Sequence, residues 1–324
     1  MSTGREMLSG VTVPLVTPMD APGRPSADAA TALLAAVHSA GADALMLLGS
    51  NGEGPLLPTS VLRDFTAGAV ATWRQLGGDR PVLVNITAAG TADVLARAET
   101  VLPARPEALV LSPPIYFHHR DDEIIAHYAA CAGLGVPVVA YNAPKYSNPL
   151  TDAVFDALLD MEHVIGVKDS SGDLRVLRTM VDTARERRPG FGVGQGAEGA
   201  LVAGLRAGAD GIVPGIANIA PAPAVELYRA WCAERPPEPA AARPAGEDSA
   251  HHASRAEHWQ AIVDQLCGVH RIRPGVPTVK EILSWQGLCP VHVAPPLLPC
   301  TDDERRELRA YLEPLAEHLL SATA

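Results

Sequence analysis

The sequence has 324 residues, 47% of them hydrophobic and 19% charged, which suits one large α/β barrel or two ordinary domains with a sizeable core. Its formal net charge of −11 argues against a nucleic-acid or anionic-membrane partner, because such partners call for a basic face. The five cysteines and 11 histidines form no metal-binding pattern, so we expect no metal site and no disulfide framework.

Short aliphatic or β-branched runs alternate with Ala-, Leu- and Arg-rich stretches of helical spacing through the first two-thirds of the chain. The runs predict eight strands, at 11–17, 44–49, 81–86, 108–112, 137–142, 164–168, 191–194 and 210–213. The intervening stretches predict helices, four of them capped by Ser26, Thr91, Thr151 and Asp173. Eight such units indicate a (β/α)8 TIM barrel. The alternative is an open doubly wound sheet, but no glycine fingerprint follows the first strand.

The last third of the sequence predicts helices without strands, near 218–234, 254–270, 277–287 and 302–320. We therefore expect a catalytic barrel over residues 1–217 and a C-terminal helical appendage over 218–324. Residues 235–250 are rich in proline and poor in apolar side chains, which predicts a mobile insertion. The N-terminus lacks the apolar core of a signal peptide, and no window approaches the ~18 apolar residues of a membrane helix, so we expect a cytoplasmic protein.

Lys168 ends an apolar predicted strand and precedes a Ser-Ser-Gly-Asp turn. Catalytic side chains of a barrel gather at the C-terminal ends of its strands. Desolvation there would favour the neutral amine, which is the form that attacks a ketone to make a Schiff base. The alternative is a strand-end charge that reaches solvent and pairs with Asp169, and this segment alone favours that alternative.

Two other strand ends carry groups that such chemistry needs. Ser50 and Asn51 lie in a Gly-Ser-Asn-Gly-Glu loop whose backbone amides could hold a carboxylate, although an ordinary turn explains the loop as well. Tyr141 ends the strand before that of Lys168, so its phenol is a candidate acid or base, or else a core aromatic. Tyr116 follows a Pro-Pro pair and by itself is most simply a loop aromatic.

Three segments, at 49–53, 141–144 and 166–173, resemble the signature segments of the dihydrodipicolinate synthase / N-acetylneuraminate lyase family, in the family's order and spacing. The resemblance covers about residues 8–230 well and the C-terminal helices loosely. It implies a class I, Schiff-base-forming lyase or aldolase on a TIM barrel, usually a homotetramer, that acts on pyruvate or another 2-oxo acid without a cofactor.

The resemblance also implies roles for single residues. By position, Lys168 would form the Schiff base and Tyr141 would be the acid/base. Tyr141 would be linked through Ser50 to Tyr116, which the family commonly contributes across a subunit interface.

Substrate binding follows from the same resemblance. Ser50 and Asn51 would hold the carboxylate, and the carbonyl of Val213 would face the lysine. Tyr146 stands where dihydrodipicolinate synthases carry an arginine for the second substrate's carboxylate, which argues against lysine biosynthesis and suggests an altered aldehyde-side pocket.

The leading hypothesis is therefore an aldolase or dehydratase that acts on pyruvate or a 2-keto-3-deoxy sugar acid, with an aldehyde as a second partner. We expect a homo-oligomer, a tetramer or a dimer. One alternative is a non-catalytic 2-oxo-acid-binding or regulatory protein of the same fold. Another is a TIM-barrel enzyme without a covalent intermediate.

Overall fold

A closed parallel barrel forms the centre of the computed structural model, which describes residues 3–234 and 248–321. Each barrel strand pairs with the next one along the chain, and the last pairs with the first. The strands are β1 (Gly10–Pro14), β2 (Ala44–Leu47), β3 (Val82–Asn85), β4 (Ala108–Leu111), β5 (Val138–Asn142), β6 (Val164–Asp169), β7 (Gly192–Gln195) and β8 (Gly211–Ile212). The predicted (β/α)8 TIM barrel is confirmed, and the open sheet is excluded.

Helices surround the barrel and continue beyond it. They are α1 (Gly4–Leu8), α2 (Ala27–Ser39), α3 (Leu62–Gln75), α4 (Thr91–Val101), α5 (Asp121–Ala129), α6 (Asp152–Leu159), α7 (Leu174–Arg187), α8 (Leu201–Arg206), α9 (Pro221–Glu234), α10 (Asp248–Cys267), α11 (Val276–Trp285) and α12 (Asp302–Leu312). The sequence analysis missed α1 and a short antiparallel hairpin, Met19–Ala21 with Arg24–Pro25. No helix in the described part of the chain is long and apolar enough to cross a membrane.

Three of the four predicted helix caps are confirmed. Ser26, Thr151 and Asp173 each accept a hydrogen bond from a backbone amide in the first turn of the helix that follows. The prediction for Thr91 is wrong, because Gly90 is the capping residue there and the Thr91 hydroxyl is hydrogen-bonded to His127 Nδ1 at 2.8 Å.

Apolar side chains pack on both faces of the barrel strands, as expected for parallel strands covered by helices. Outside the barrel, strand and helix residues form one large core. Inside it, a smaller cluster includes Met46, Val110, Val139, Tyr141 and Val213. The top of this inner cluster is the floor of the candidate site.

Asn218 ties the ends of β1 and β8 together. Its side chain is buried, its Oδ1 accepts from the Val16 amide at 2.8 Å, and its Nδ2 donates to the carbonyls of Pro14 and Gly215 at 2.9 Å each. These bonds fix the loops after the first and last strands, where the barrel closes.

Helices α9 to α12 follow the eighth strand and correspond to the predicted C-terminal helical appendage. Helix α9 follows β8 and packs against β1 and α10. Helices α12 and α10 are joined by the hydrogen bond from Tyr311 Oη to the Gln265 carbonyl, at 2.7 Å. The predicted insertion at 235–250 falls mostly on residues 235–247, which lie outside the described residues.

Candidate active site

A cavity of about 560 Å³ lies at the C-terminal ends of the barrel strands. Most of the predicted site residues line it, namely Ser50, Asn51, Tyr141, Tyr146, Lys168 and Val213. The sequence analysis did not single out other lining residues, which include Lys145, Ser170, Gly196, Glu198, His270 and Gly275. The cavity therefore joins the loops of five strands to a segment of the C-terminal region.

Lys168 is buried at the bottom of this cavity, with 5% of its surface exposed. Its Nζ lies 4.5 Å from the centroid of the Tyr141 ring and 4.0 Å from Met46 Sδ. Within the described residues it forms no ion pair with a carboxylate. The amine is thus held against apolar and aromatic surface and is open to the cavity on one side.

Asp169 does not pair with Lys168, so the interpretation of the lysine as an ordinary solvated charge is wrong. Successive side chains of a strand point to opposite faces. Asp169 is buried and accepts from Asn142 Nδ2 at 2.7 Å and from Ser171 Oγ at 2.9 Å. Burial raises the pKa of Asp169, and these hydrogen bonds only partly oppose the rise.

Gly196 makes room for the lysine side chain. A Cβ at this position would lie 2.8 Å from Lys168 Cε and would also meet the Ser170 hydroxyl. Such an approach requires the Ser170 hydroxyl, the Lys168 side chain or both to move, so a residue larger than glycine at position 196 would disturb the side chains beside Tyr141.

Tyr141 lies beside Lys168 because their strands are neighbours and their Cα atoms are partners in the sheet register. Burial raises the pKa of the Tyr141 phenol, but the positive charge of Lys168 and hydrogen bonds to Ser50, Ser170 and Lys168 outweigh it. The pKa therefore lies below the ordinary value for tyrosine. A lowered pKa favours the phenolate, which is the proton-accepting form.

The loop after β2 presents backbone amides to the cavity wall. The amides of Ser50 and Asn51 donate no hydrogen bond to another group in the described part of the chain. Asn51 packs tightly on the loop after β8, since a Cβ at Gly215 would lie 2.8 Å from its Nδ2. The loop can hold a small anion with its amides, the Ser50 hydroxyl and the Asn51 side chain.

A buried ion pair holds this loop to the C-terminal region. Lys280 Nζ lies 2.5 Å from Glu53 Oε1, and the side chains are 0% and 1% exposed. Lys280 also donates to the carbonyl of His292 at 2.7 Å, and Glu53 Oε2 accepts from the Ala294 amide at 2.6 Å. Glu53 itself has a left-handed backbone, with φ of 56°. The pair fixes the loop against α11, whose first residue, Val276, lines the cavity.

Tyr116 lies on the protein surface and not in the cavity wall. Its side chain is 86% exposed, its φ is 85°, and its ring contacts Phe117 edge-on at a centroid distance of 4.6 Å. Its expected role across a subunit interface stays a prediction. Tyr146 is also exposed but lines the cavity, and the Lys145 ammonium lies 5.4 Å from the centroid of its ring.

The polar lining residues that the sequence analysis missed have different origins. Ser170 lies two residues after Lys168, on the same side of the chain, and this spacing could have identified it. Glu198 follows β7, and its Oε1 accepts from the Ile216 amide at 2.5 Å. His270 comes from the 3-10 turn Gly268–Arg271, far along the chain, and no local pattern predicts its approach.

A second cavity, of about 570 Å³, has Arg5, Arg185 and Asp210 in its wall. Both arginines pair with Asp210, at 2.9 and 2.8 Å. Asp210 precedes β8, so this cavity lies toward the amino ends of the strands, where barrel residues serve stability. No group of three or more side chains in the described residues could hold a metal ion.

The sequence model of the dihydrodipicolinate synthetase family matches residues 7–315. An uncharacterized DapA-like lyase from Halobacterium salinarum is 31% identical over 310 residues, which cover 95% of this chain and 94% of that protein. The chain belongs to the dihydrodipicolinate synthetase family. The resemblance drawn from the three sequence segments is thereby confirmed.

Other members of the dihydrodipicolinate synthetase family are similar over nearly their whole length. A 4-hydroxy-tetrahydrodipicolinate synthase from Stenotrophomonas maltophilia is 30% identical over 319 residues, covering 96% of this chain and 95% of that one. The crystal structure of YagE from Escherichia coli K12, in complex with pyruvate, superposes with a TM-score of 0.83 at 24% identity, covering 95% of this chain and 98% of YagE. YagE carries the provisional name 2-dehydro-3-deoxy-D-gluconate aldolase.

Proposed function

We propose that this protein is a class I lyase, an aldolase or dehydratase, that acts on pyruvate or a 2-keto-3-deoxy sugar acid through a Schiff base on Lys168. The observation that carries the proposal is the buried amine of Lys168, which has no carboxylate partner in the described residues and lies 4.5 Å from the centroid of the Tyr141 ring. The pyruvate bound to YagE and the provisional name of that protein support the same substrate class.

The proposed reaction starts at the keto carbon, C2. The unprotonated amine of Lys168 attacks C2, and loss of water leaves an iminium between Nζ and C2. In aldol cleavage the C3–C4 bond breaks, its electron pair moves toward the iminium to form an enamine, and the C4 hydroxyl loses its proton as the aldehyde leaves. The enamine then takes a proton at C3, and water hydrolyses the iminium to release pyruvate and the free amine.

Dehydration would use the same iminium. A proton leaves C3 to form the enamine, and the C4 hydroxyl then departs with a proton as water. In both reactions Tyr141 would exchange the proton with the substrate, which its lowered pKa and its position beside Lys168 support.

The carboxylate of the 2-oxo acid would bind at the loop after β2. The amides of Ser50 and Asn51 are unused by other described groups, and the Ser50 hydroxyl interacts with Tyr141. Binding there would place C2 between the loop and the amine of Lys168. The predicted role of the Val213 carbonyl, which would face Lys168, belongs to the same proposal, since Val213 also lines the cavity.

We also propose that the protein is a homo-oligomer, a tetramer or a dimer. Tyr116 and Phe117 are 86% and 63% exposed, and two adjacent exposed aromatic rings are typical of a surface that a partner covers. Phe117→Asp should therefore shift the sedimentation coefficient toward that of the monomer. A wild-type protein that sediments as a monomer of 33.9 kDa would contradict this.

Exchange of the pyruvate methyl protons with deuterated solvent tests the proposed chemistry without a second substrate, because reversible formation of the enamine exchanges them. We expect proton NMR to show exchange with the wild-type protein and none above background with Lys168→Ala. Arg306→Ala is the matched control, since it removes an exposed basic side chain on α12. If the protein binds pyruvate but does not exchange its protons, the non-catalytic alternative is favoured. If it neither binds pyruvate nor exchanges its protons, the proposal is contradicted.

A further inference from the structure

Arg97, on α4, is a buried charged residue to which the proposed function gives no role. Only 6% of its surface is exposed, and it forms no ion pair with a carboxylate in the described part of the chain. Burial lowers the pKa of its guanidinium, and the nearby Asp93 carboxylate opposes this only in part. Burying a charge without a counter-ion is costly, so the hydrogen bonds of the guanidinium are what hold it there.

Two hydrogen bonds join the Arg97 guanidinium to the loop after β2, residues 48–58. Its Nη1 donates to the Gly54 carbonyl at 3.1 Å, and its Nη2 donates to the Leu57 carbonyl at 2.6 Å. Hydrogen bonds from a charged donor are stronger than those between neutral groups, and the planar guanidinium fixes the direction of both. Helix α4 thereby holds one end of the loop.

Gly54 connects this hold to the amides at the active-site cavity. Its own amide donates to the Gly49 carbonyl at 3.2 Å, and Gly49 directly precedes Ser50. The backbone is closely packed here, since a Cβ at Gly54 would lie 1.8 Å from the carbonyl oxygen of Leu48. Closely packed groups transmit displacements, so a shift of Gly54 would move the amides of Ser50 and Asn51.

The loop needs such holds because its backbone is strained. Leu48 and Glu53 have φ of 58° and 56°, in the left-handed region that side chains other than glycine rarely adopt. Strained residues keep such a conformation only where the surrounding structure imposes it. Asn85 Nδ2 donates to the Leu48 carbonyl at 3.0 Å, and the Lys280 ammonium pairs with Glu53. Arg97 adds a hold on the residues that follow.

A separate cavity of about 290 Å³ lies between the loop after β2 and α4. Its wall includes Pro55 and Pro58 of the loop and Asp93 and Arg97 of the helix. At these prolines the loop and the helix enclose space between them, so the hydrogen bonds of Arg97 bridge the gap. Arg97 does not line the active-site cavity, and any influence on that cavity passes through the loop.

On the basis of the proposed function, we propose that Arg97 is a positioning residue for the carboxylate of the substrate. By holding the loop after β2, it keeps the amides of Ser50 and Asn51 in place to bind that carboxylate. Arg97 touches neither the substrate nor Lys168. Its loss should therefore weaken binding of the 2-oxo acid and leave the covalent chemistry intact.

Borohydride trapping with pyruvate and pyruvamide tests this inference. The two compounds have the same size and the same keto group, but pyruvamide lacks the negative charge. Intact-mass analysis gives the concentration for half-maximal trapping of each. We expect Arg97→Met to raise this concentration about tenfold for pyruvate, as the loss of one hydrogen bond implies, and much less for pyruvamide. The maximal trapped fraction should stay near one adduct per chain.

Chemical rescue separates positioning from general damage. Arg97→Ala extends the cavity of about 290 Å³, so that methylguanidinium can reach both loop carbonyls. Millimolar methylguanidinium should return the pyruvate concentration toward the wild-type value, and methylammonium at the same ionic strength should do so less. Arg97→Lys, which keeps the charge but loses the planar fork, should be intermediate. Arg306→Ala, which removes an exposed arginine on α12, is the matched control and should behave as wild type.

The possible failures are distinguishable. Circular dichroism first establishes that each variant is folded, and if Arg97→Met is not, Arg97→Lys provides the same comparison of pyruvate with pyruvamide. A folded but less stable variant that binds pyruvate as wild type does would overturn this inference and leave the proposed function standing. Equal rescue by the two cations would also overturn it. If the wild-type protein traps no 2-oxo acid, the proposed function and this inference fail together.

Discussion

Lys280→Met is predicted to destabilise the protein by about 3–5 kcal/mol, because it leaves a buried carboxylate without its counter-ion. The side chains of Lys280 and Glu53 are 0% and 1% exposed, and their charged atoms are 2.5 Å apart. After the substitution, Glu53 would keep the hydrogen bond from the Ala294 amide but lose its only ion pair in the described residues. Glu53→Gln should lower the free energy of unfolding by a similar amount, because the buried Lys280 ammonium would lose its carboxylate partner and keep the hydrogen bond to the His292 carbonyl.

Equilibrium urea unfolding, followed by circular dichroism, measures these losses. In the double variant Glu53→Gln/Lys280→Met no unpaired charge remains. Its free energy of unfolding should therefore fall by about 0.5–3 kcal/mol less than the sum of the decreases in the two single variants. Arg306→Ala, which breaks an exposed pair with Asp303, is the control and should cost at most about 1 kcal/mol. Single losses below about 1 kcal/mol, or losses that simply add, would refute the reasoning.

The same ion pair should influence substrate binding. Glu53 follows Asn51 by two positions in the loop that we propose to hold the carboxylate. In folded Lys280→Met, the pyruvate concentration for half-maximal trapping should rise while the maximal trapped fraction stays near one adduct per chain. An unchanged concentration would mean that the pair serves stability alone.

Further variants test the roles proposed at the cavity. Tyr141→Phe should slow methyl-proton exchange by about 10²–10⁴-fold, as loss of a general acid/base does, while Lys168 can still be trapped. Because the lowered pKa of Tyr141 favours the phenolate, the exchange rate should rise with pH and reach a plateau below the ordinary pKa range of tyrosine. Ser170→Ala removes one hydrogen bond that lowers this pKa, so the rise in the exchange rate should move to higher pH. Gly196→Ala should lower the trapped fraction, since its Cβ would lie 2.8 Å from Lys168 Cε. A pH profile unmoved by Ser170→Ala, or full trapping in Gly196→Ala, would contradict these assignments.

The barrel is predictable from sequence because strands that are buried on both faces appear as short uninterrupted apolar runs. The meeting of Lys168 and Tyr141 is predictable for a related reason. The two residues end consecutive strands, and consecutive strands are neighbours in a closed barrel. The same reasoning extends to Ser170, which lies two positions beyond Lys168.

Contacts from the C-terminal region are not predictable in this way. Lys280 and His270 reach the mouth of the barrel only because the last helices fold back over it, and helical periodicity carries no information about that path. The sequence does not predict that Lys145 lines the cavity either, because exposed lysines are common in loops. The short hairpin and α1 are not predicted from the sequence, because neither is long enough to show a periodic pattern.

The central claim is the Schiff base on Lys168, and borohydride trapping with pyruvate tests it most directly. The protein is incubated with pyruvate and borohydride, its intact mass is measured, and the modified peptide is sequenced. With three lysines in the chain, the assignment is unambiguous. We predict one reduced pyruvyl adduct per chain, on Lys168, and none in Lys168→Arg. An adduct on Lys145 or Lys280, or no adduct with pyruvate or any longer 2-oxo acid, would contradict the account.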